Sequence, residues 1–382
     1  MEGLYRLTED EEMILTTVRQ MTKDRIAPRA AEIDKTGQFP WDIVDLYRES
    51  QILALPIPEK YGGGGYPELL CCIVLEEIAK TCANSAHVLA DHWLGITPTL
   101  IAGNEEQKQR FFPEWLTRLA AFSLTEPEAG SDAAGVKTKA VLKGNEYILN
   151  GQKCFCTDGN EADFVTIFAK TDPSAPGTRG LSAFVVEKKR SQGLSIGKIE
   201  DQMGLRGTRA CEIILEDCAV PKENLLAKEG NGFRIAMQTL DRTRPIDGAL
   251  ALGIAQGALA YAIDYAKQRK QFGQPIAEFQ GLQFMMADMA TEIEASRGLV
   301  YQAAYLIDHG GPNSKLSAMA NYYTTDMAFK VTNDAMQILG GYGYMRDYPL
   351  EQKMRDARLF QIVEGTNQIL RVVVARALLA GG

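Results

Sequence analysis

Histidine is scarce in this chain of 382 residues, which contains only His87, His92 and His309. Three histidines are too few for a histidine-rich metal site. The seven cysteines are an odd number, and none of them shows the spacing of a zinc site or of a Cys-x-x-Cys redox motif. We therefore expect no metal centre, and cysteines that stay reduced inside a cytoplasmic protein.

The sequence also contains few long apolar runs and fewer positive than negative charges. No stretch reaches the ~18 uninterrupted apolar residues that a membrane-spanning helix needs. Residues 1–20 are acidic and amphipathic, unlike a signal or transit peptide. The net charge of −8 argues against nucleic acid or an anionic membrane as the main partner. We expect a soluble cytoplasmic protein of two or three domains, because one core rarely serves so long a chain.

The distribution of helix-like and strand-like segments divides the chain into three regions. Residues 1–121 and residues 229–382 have the apolar spacing of helices, whereas residues 122–228 are rich in strand-forming segments. We predict an α+β protein with an N-terminal α domain, a middle antiparallel β domain and a C-terminal α domain at these boundaries. Within the helical regions, Thr8 and Asn104 each precede an acidic turn, which is typical of a helix start.

Individual elements follow from the same patterns. Residues 248–269 and 279–308 are typical of long helices. In the middle region, residues 163–171 and 211–220 are typical of strands. The pair Asn150-Gly151 lies between two strand-like runs and predicts a hairpin turn there.

Five short clusters carry most of the chemical interest. They are rich in glycine, small polar residues and charge, and they lie where elements begin or end: LTEPEAGSDAAG (124–135), GQKCFCTDG (151–159), RKQFGQP (269–275), QILGGYGY (337–344) and FQIVEGTNQILR (360–371). Taken singly, each fits an ordinary turn or helix end. In the last cluster, Thr366 and Asn367 can cap a helix whose N-terminus could hold an anion, with Glu364 just before it.

Taken in order, these clusters, together with MGLRGTRACEIILEDCAVP and DRTRP, resemble the acyl-CoA dehydrogenase family from Leu7 to the C-terminus. The resemblance implies a helical domain, a middle antiparallel β domain and a C-terminal four-helix-bundle domain. It further implies an FAD cofactor, an acyl-CoA substrate, an electron-transfer flavoprotein as electron acceptor and a homotetramer.

The resemblance also implies which residues contact the ligands. Beside the flavin it places Phe122, Leu124, Thr125, Gly130, Ser131, Phe155 and Thr157. Toward the ADP half, in part from a neighbouring subunit, it places Arg269, Gln271, Phe272, Gln280, Gln337, Gly340 and Gly341. Thr366 and Gln368 complete the cofactor set, and Ser131, Asp241, Arg244 and Gly365 match positions that hold CoA.

The resemblance assigns the catalytic base to Glu364. A thioester carbonyl acidifies the proton on its α carbon, and hydrogen bonds to that carbonyl stabilise the enolate-like transition state. In the family these bonds come from a flavin ribityl hydroxyl and the backbone N–H of the base. Some members carry the base at the position of Thr243 instead, which cannot serve here. A carboxylate desolvated beside the substrate has a raised pKa, which suits this proton transfer.

A second carboxylate, Asp91, lies in a stretch that aligns with a wall of the family's acyl pocket. Burying it beside an acyl chain costs free energy unless it is paired or used. It could pair with His92 or face solvent, or it could act as a second base. The last interpretation resembles the branch that oxidises cyclohexane- and cyclohex-1-ene-1-carbonyl-CoA, in which an aspartate removes a proton far along the ring. Trp93 and Phe155 would suit a compact, flat substrate.

Other interpretations remain open from sequence. The presence of Glu364 keeps ordinary 2,3-dehydrogenation of a short or medium straight-chain acyl-CoA in consideration. Val363 stands where a tyrosine is often found before the base, and this favours a pocket unlike that of a standard straight-chain enzyme. An acyl-CoA oxidase and a non-catalytic CoA-binding factor are the alternatives from other functional classes.

Overall fold

The computed structural model describes residues 5–310 and 314–380. Six α-helices occupy the N-terminal third: α1 (Glu9–Met21), α2 (Ala30–Thr36), α3 (Trp41–Glu49), α4 (Glu68–Ala79), α5 (Ala83–Ala102) and α6 (Glu105–Trp115). The predicted starts of α1 and α6 are confirmed, because Thr8 and Asn104 each form a capping box with the third residue of the helix. Helices α4 and α5 are buried along most of their length, so a polar residue on either helix lies inside the protein.

Seven strands form the middle sheet: β1 (Ala120–Ser123), β2 (Lys139–Lys143), β3 (Glu146–Thr157), β4 (Phe164–Lys170), β5 (Leu181–Glu187), β6 (Leu194–Ile199) and β7 (Ala210–Pro221). The spatial order is β1-β4-β2-β3-β7-β6, with β5 beside β4. Most neighbours are antiparallel, as predicted, but β1 runs parallel to β4, and β2 touches β4 in parallel at one pair of residues.

The hairpin predicted at Asn150-Gly151 is wrong. Both residues lie inside β3, and the chain turns earlier, between Lys143 and Glu146, which pair across β2 and β3. Gly151 has φ +154° at a shift in the register of β3 against β7, and a Cβ there would come within 2.4 Å of the Thr138 hydroxyl. The glycine therefore serves a bulge and a close approach inside a strand.

The C-terminal part is helical, with one two-stranded hairpin: α7 (Gly232–Gln268), β8 (Lys270–Gln271), β9 (Gln274–Pro275), α8 (Gln280–Gly310), α9 (Ser314–Leu339), α10 (Leu350–Phe360) and α11 (Asn367–Leu379). Helix α7 begins earlier than the sequence suggested and continues through Pro245, so the DRTRP motif is helical. It is also long and apolar enough to cross a membrane, but 72% of the relevant window is buried within the protein, as in a core helix.

Candidate active site

Glu364 lies on a sharp turn between α10 and α11. Its φ is +53° and that of Gly365 is +97°, so two consecutive residues adopt the left-handed conformation. For a residue with a side chain this conformation is unfavourable by roughly 1–2 kcal/mol, and it persists only where the surroundings impose it. Thr366 ends the turn by capping α11, because its side chain accepts a hydrogen bond from the Ile369 N–H at 3.3 Å. Glu364 is thereby fixed between two helices.

Helix α7 forms one side of this turn. The Nε of Arg244 donates to the carbonyl oxygen of Glu364 at 3.4 Å, and its Nη1 lies 2.5 Å from Asp241. A Cβ on Gly365 would lie 3.9 Å from the Arg244 guanidinium. The structure therefore brings together three predicted CoA positions, Asp241, Arg244 and Gly365, beside the predicted base. Ser131, the fourth, is exposed on the loop after β1.

The carboxyl group of Glu364 has an unusual environment. Its Oε2 is buried and has no hydrogen-bond partner among residues 5–310 and 314–380. Burial, reinforced by the charge of Asp247, raises the pKa of Glu364 well above its ordinary value; the Thr243 hydroxyl and the charge of Arg244 oppose this rise. A carboxyl of this kind can accept a proton from a weak carbon acid near neutral pH.

Asp91 is buried in the middle of α5 and is 9% exposed, so it does not face solvent. It does not pair with His92 either, because the Nδ1 of His92 accepts the backbone N–H of Ala120 at 3.1 Å and its Nε2 has no hydrogen-bond partner among the described residues. The nearest base is His87, whose Nδ1 lies 3.1 Å from the Oδ2 of Asp91. That ring nitrogen, however, hydrogen bonds with the Thr208 hydroxyl at 2.8 Å, and burial lowers the pKa of His87 to about 4, so the ring is neutral.

The Oδ2 of Asp91 has no hydrogen-bond partner in the described parts of the chain. Burial, followed by the charges of Asp158, Asp247 and Glu364, raises the pKa of Asp91 well above its ordinary value. Glu364 is thus close enough to Asp91 to contribute to the raised pKa of Asp91. Trp93 was expected to shape the substrate pocket, but it points elsewhere, because its indole N–H donates to the Leu53 carbonyl at 2.9 Å. It belongs to the N-terminal core, about 200° around α5 from Asp91.

Asp247 is a third carboxyl that sequence reasoning missed. It lies one helical turn after Thr243 on α7, is 5% exposed, and has an Oδ2 without a hydrogen-bond partner among the described residues. Burial raises its pKa to about 7. The sequence did contain a signal for Asp247, its spacing of four residues from Thr243. This spacing places the two residues on the same side of a helix, provided that the helix continues through Pro245.

We expect Asp247→Asn to stabilise the protein selectively at alkaline pH. The folded-state pKa of Asp247 is raised above that of the unfolded chain, so its favourable contribution is complete below about pH 4 and is lost as the pH rises through about 7. The amide does not ionise, so its unfolding free energy should exceed that of the wild type by on the order of 2 kcal/mol at pH 8 and by little at pH 4.

Thermal unfolding at pH 4, 6 and 8 tests this expectation. The exposed Asp264, on the same helix, provides a matched control as Asp264→Asn. An Asp247→Asn advantage that does not change with pH would contradict the assignment of a neutral buried carboxyl.

The predicted flavin-side residues lie on β1, on the loop after it and on β3. Phe155 occupies an irregularity where β3 shifts register against β7; its φ is +53° and its side chain is 65% exposed. The Thr125 carbonyl accepts the backbone N–H of Cys154 at 3.0 Å, which joins the loop to this irregularity. An exposed aromatic ring beside Thr157 suits one face of a planar ring system.

A buried ion pair holds the same loop in place. The Nζ of Lys153 is fully buried, 2.7 Å from the Oε1 of Glu126 and 3.1 Å from the Leu124 carbonyl. The Glu126 carboxylate also accepts the backbone N–H groups of Lys137 and Thr138, at 2.6 and 3.0 Å. Burial lowers the pKa of Lys153 to about 8, although Glu126 opposes the change. These contacts hold residues 124–138 against β3.

Lys153→Met should therefore destabilise the fold and reduce the amount of flavin retained. Removing one member of a buried pair leaves the other charge uncompensated, at a cost of roughly 3–5 kcal/mol. Thermal unfolding and visible flavin absorbance per chain measure the two effects. The double variant Glu126→Gln/Lys153→Met also removes the uncompensated charge of Glu126, so it should recover part of the lost stability and flavin content. If neither recovers, the ion pair does not hold the loop.

The predicted ADP-side residues lie at the opposite end of α7. The β8–β9 hairpin carries Gln271 and Phe272; Phe272 has φ +53° and a side chain that is 96% exposed. The Arg269 guanidinium lies 5.7 Å from the ring centroid of Tyr342, which brings the hairpin to the glycine turn after α9. Within the part of the chain that the structure describes, no atom lies within 4 Å of a Cβ added to Gly340 or Gly341 on that turn. Gln280, Gln337 and Gln368 are exposed.

These features fit an extended cofactor with a flat ring at one end. The open glycines Gly130, Gly340 and Gly341 permit close approach to the backbone, and Phe155 offers a free ring face. Among residues 5–310 and 314–380, no group of three His, Cys, Asp or Glu side chains is arranged to hold a metal ion.

Comparison with known families agrees with this architecture. The N-terminal, middle and C-terminal domain models of acyl-CoA dehydrogenase match residues 8–118, 121–218 and 230–379. The chain belongs to the acyl-CoA dehydrogenase family, and it is an oxidoreductase that acts on acyl-CoA with FAD as its cofactor.

Named relatives differ in their reactions. The chain is 43% identical to the cyclohexane-1-carbonyl-CoA dehydrogenase of Geobacter metallireducens, over 98% of this chain and 99% of that protein. It is 46% identical to the acryloyl-CoA reductase (NADH) of Anaerotignum propionicum, over 98% and 96%. These names do not define the acyl group of this chain.

Solved structures give the same family and fold. Butyryl-CoA dehydrogenase of Megasphaera elsdenii matches with a TM-score of 0.95 and 41% identity, over 99% of this chain and 100% of that one. A chain from a study of the electron transferring flavoprotein of Acidaminococcus fermentans matches with a TM-score of 0.96 and 49% identity, over 99% and 100%. A third structure, from Bacillus anthracis, is an acyl-CoA dehydrogenase complexed with FAD; it has a TM-score of 0.90 and 32% identity, over 98% of this chain and 67% of that one.

Proposed function

We propose that this enzyme dehydrogenates an alicyclic acyl-CoA thioester, with Glu364 as the α-proton base and Asp91 as a second base. The leading substrates are cyclohex-1-ene-1-carbonyl-CoA, which would give cyclohexa-1,5-diene-1-carbonyl-CoA, and cyclohexane-1-carbonyl-CoA. The observation that carries the proposal is the pair of buried carboxyls, Glu364 and Asp91, each with an oxygen that lacks a hydrogen-bond partner in the described chain. The similarity to a cyclohexane-1-carbonyl-CoA dehydrogenase supports the ring.

The residues act by position and charge. Arg244 and Asp241 hold the CoA portion beside the turn, and the backbone N–H of Glu364 donates to the thioester carbonyl as negative charge develops there. With a saturated thioester, the Glu364 carboxylate removes the α proton. The cyclohexene substrate has no α proton, because its α carbon is part of the ring double bond, so with this substrate Asp91 is the base and removes the one proton, from a carbon further along the ring. Bound FAD supplies the electron acceptor for the hydride that leaves the substrate.

The cofactor contacts are part of the same proposal. Phe122, Leu124, Thr125, Gly130, Ser131, Phe155 and Thr157 bind the flavin side, and Thr366 and Gln368 complete the set of cofactor contacts. The ADP half meets Arg269, Gln271, Phe272, Gln280, Gln337, Gly340 and Gly341. Part of this second set comes from a neighbouring subunit of a homotetramer, and the exposed Phe272 supports an intersubunit contact. An electron-transfer flavoprotein accepts the electrons; the likeness to a chain studied with such a protein supports this partner.

A second candidate is 2,3-dehydrogenation of a short straight-chain acyl-CoA. It is favoured by Glu364 at the usual base position and by the likeness to butyryl-CoA dehydrogenase. Anaerobic bleaching of the flavin by butyryl-, octanoyl-, cyclohexane-1-carbonyl- and cyclohex-1-ene-1-carbonyl-CoA separates the two. Bleaching by the cyclic thioesters alone supports the alicyclic proposal, whereas bleaching by straight chains alone supports the second candidate.

A further inference from the structure

Asp247 has no assigned part in the reaction, yet it lies beside the residues that do. It stands on the same side of α7 as Thr243, one turn along the helix, and Thr243 borders the Glu364 carboxyl. Its charge reaches Glu364 and also Asp91 on α5, which packs against α7. Asp247 therefore lies at the end of the site where the acyl group is expected.

Three other buried carboxylates, those of Glu76, Glu126 and Asp34, have cationic partners. Glu76 accepts hydrogen bonds from Arg297 and from the hydroxyl of Tyr301, at 3.0 and 2.6 Å. Glu126 meets Lys153 at 2.7 Å, and Asp34 meets Arg355 at 2.8 Å. Buried carboxyls are normally satisfied in this way. The Oδ2 of Asp247, by contrast, has no hydrogen-bond partner among the described residues, as is also the case for one oxygen each of Asp91, Asp158 and Glu364.

Asp247 forms no ion pair with any of the described residues. The guanidinium of Arg244 is engaged by Asp241 and by the carbonyl oxygen of Glu364. An unsubstituted hydrocarbon ring would leave Asp247 without a partner in a dry pocket, which is unfavourable. A hydroxyl or ammonium group on the acyl portion would supply the missing donor.

We propose that Asp247 is a specificity residue that binds a hydrogen-bond-donating substituent, a hydroxyl or an ammonium group, on the acyl portion of the substrate. This inference rests on the proposed function and narrows its substrate class to polar-substituted acyl groups. Asp247 accepts the donor while Glu364 removes the α proton. The bare cyclohexane ring is then a usable but poorer substrate.

The test compares three thioesters of similar shape on the FAD-loaded enzyme. Cyclohexane-1-carbonyl-CoA has no donor, 4-hydroxycyclohexane-1-carbonyl-CoA has a neutral donor, and piperidine-4-carbonyl-CoA has a cationic one. At least one donor-bearing thioester should exceed the bare ring by about tenfold or more in kcat/KM, mainly through KM. Which one leads distinguishes a hydroxyl from an ammonium substrate.

Two variants complete the experiment. Asp247→Leu should reverse the preference in favour of the bare ring, and Asp247→Asn, which keeps an acceptor oxygen, should retain part of the preference for the hydroxyl compound. A wild-type enzyme that prefers the bare ring would overturn the inference even if neither variant folds, as would a donor preference that survives Asp247→Leu. In those cases cyclohexane-1-carbonyl-CoA still bleaches the flavin and the proposed function stands; if no acyl-CoA bleaches it, both fail.

Discussion

Glu364→Gln is expected to bind FAD and acyl-CoA but to lose flavin bleaching by on the order of 10³-fold or more, because general-base catalysis is worth about that much. The amide keeps the shape of the side chain and cannot accept the α proton. The variant should still fold, since no hydrogen bond to Oε2 of Glu364 is seen within the described residues.

The rate of bleaching under anaerobic conditions, measured with a saturated acyl-CoA, tests this expectation. The flavin absorbance per chain and the spectral shift on substrate binding report the intact site. Glu216→Gln, on the exposed side of β7, is the matched control and should behave as the wild type does. Retained bleaching in the Glu364 variant would mean that another group removes the proton.

Asp91→Asn should separate the two dehydrogenation reactions. If Asp91 is the distal base, the variant loses activity on cyclohex-1-ene-1-carbonyl-CoA by about 10²-fold or more and keeps its activity on saturated thioesters, which need only Glu364. Steady-state rates with both substrates give the comparison within a single protein, so FAD content and folding are controlled internally.

Equal loss of activity on both substrates would instead show that Asp91 is a structural residue of α5. That result would leave Glu364 as the only working base and favour the straight-chain or saturated-ring reaction.

Much of the fold was predictable because its signals are local. The capping boxes at Thr8 and Asn104 depend on residues three apart, and the long helices depend on a repeat of three to four residues. The hairpin at Asn150-Gly151 was mispredicted because a bulge opposite β7 depends on a strand more than fifty residues away in sequence. Local turn chemistry alone does not distinguish a bulge from a turn.

The candidate site was less predictable from sequence. The turn that bears Glu364 was found from its motif, whereas the isolation of Asp91 from His92 required the position of Ala120, whose N–H occupies the imidazole nitrogen. Asp247 was missed because the predicted helix, residues 248–269, began one residue after it. The structure instead continues α7 through Pro245, which places Thr243 and Asp247 on the same side.

The length of α7 limits how segments can be exchanged between related enzymes. This single helix carries Arg244, beside the Glu364 turn, and reaches its C-cap Arg269 about 37 Å away at 1.5 Å per residue. Each inserted residue would rotate one end by about 100° relative to the other while leaving both motifs intact. A chimera therefore keeps the two ends aligned only if it preserves the number of residues between them, because the phase of the helix links the Glu364 turn to the β8–β9 hairpin.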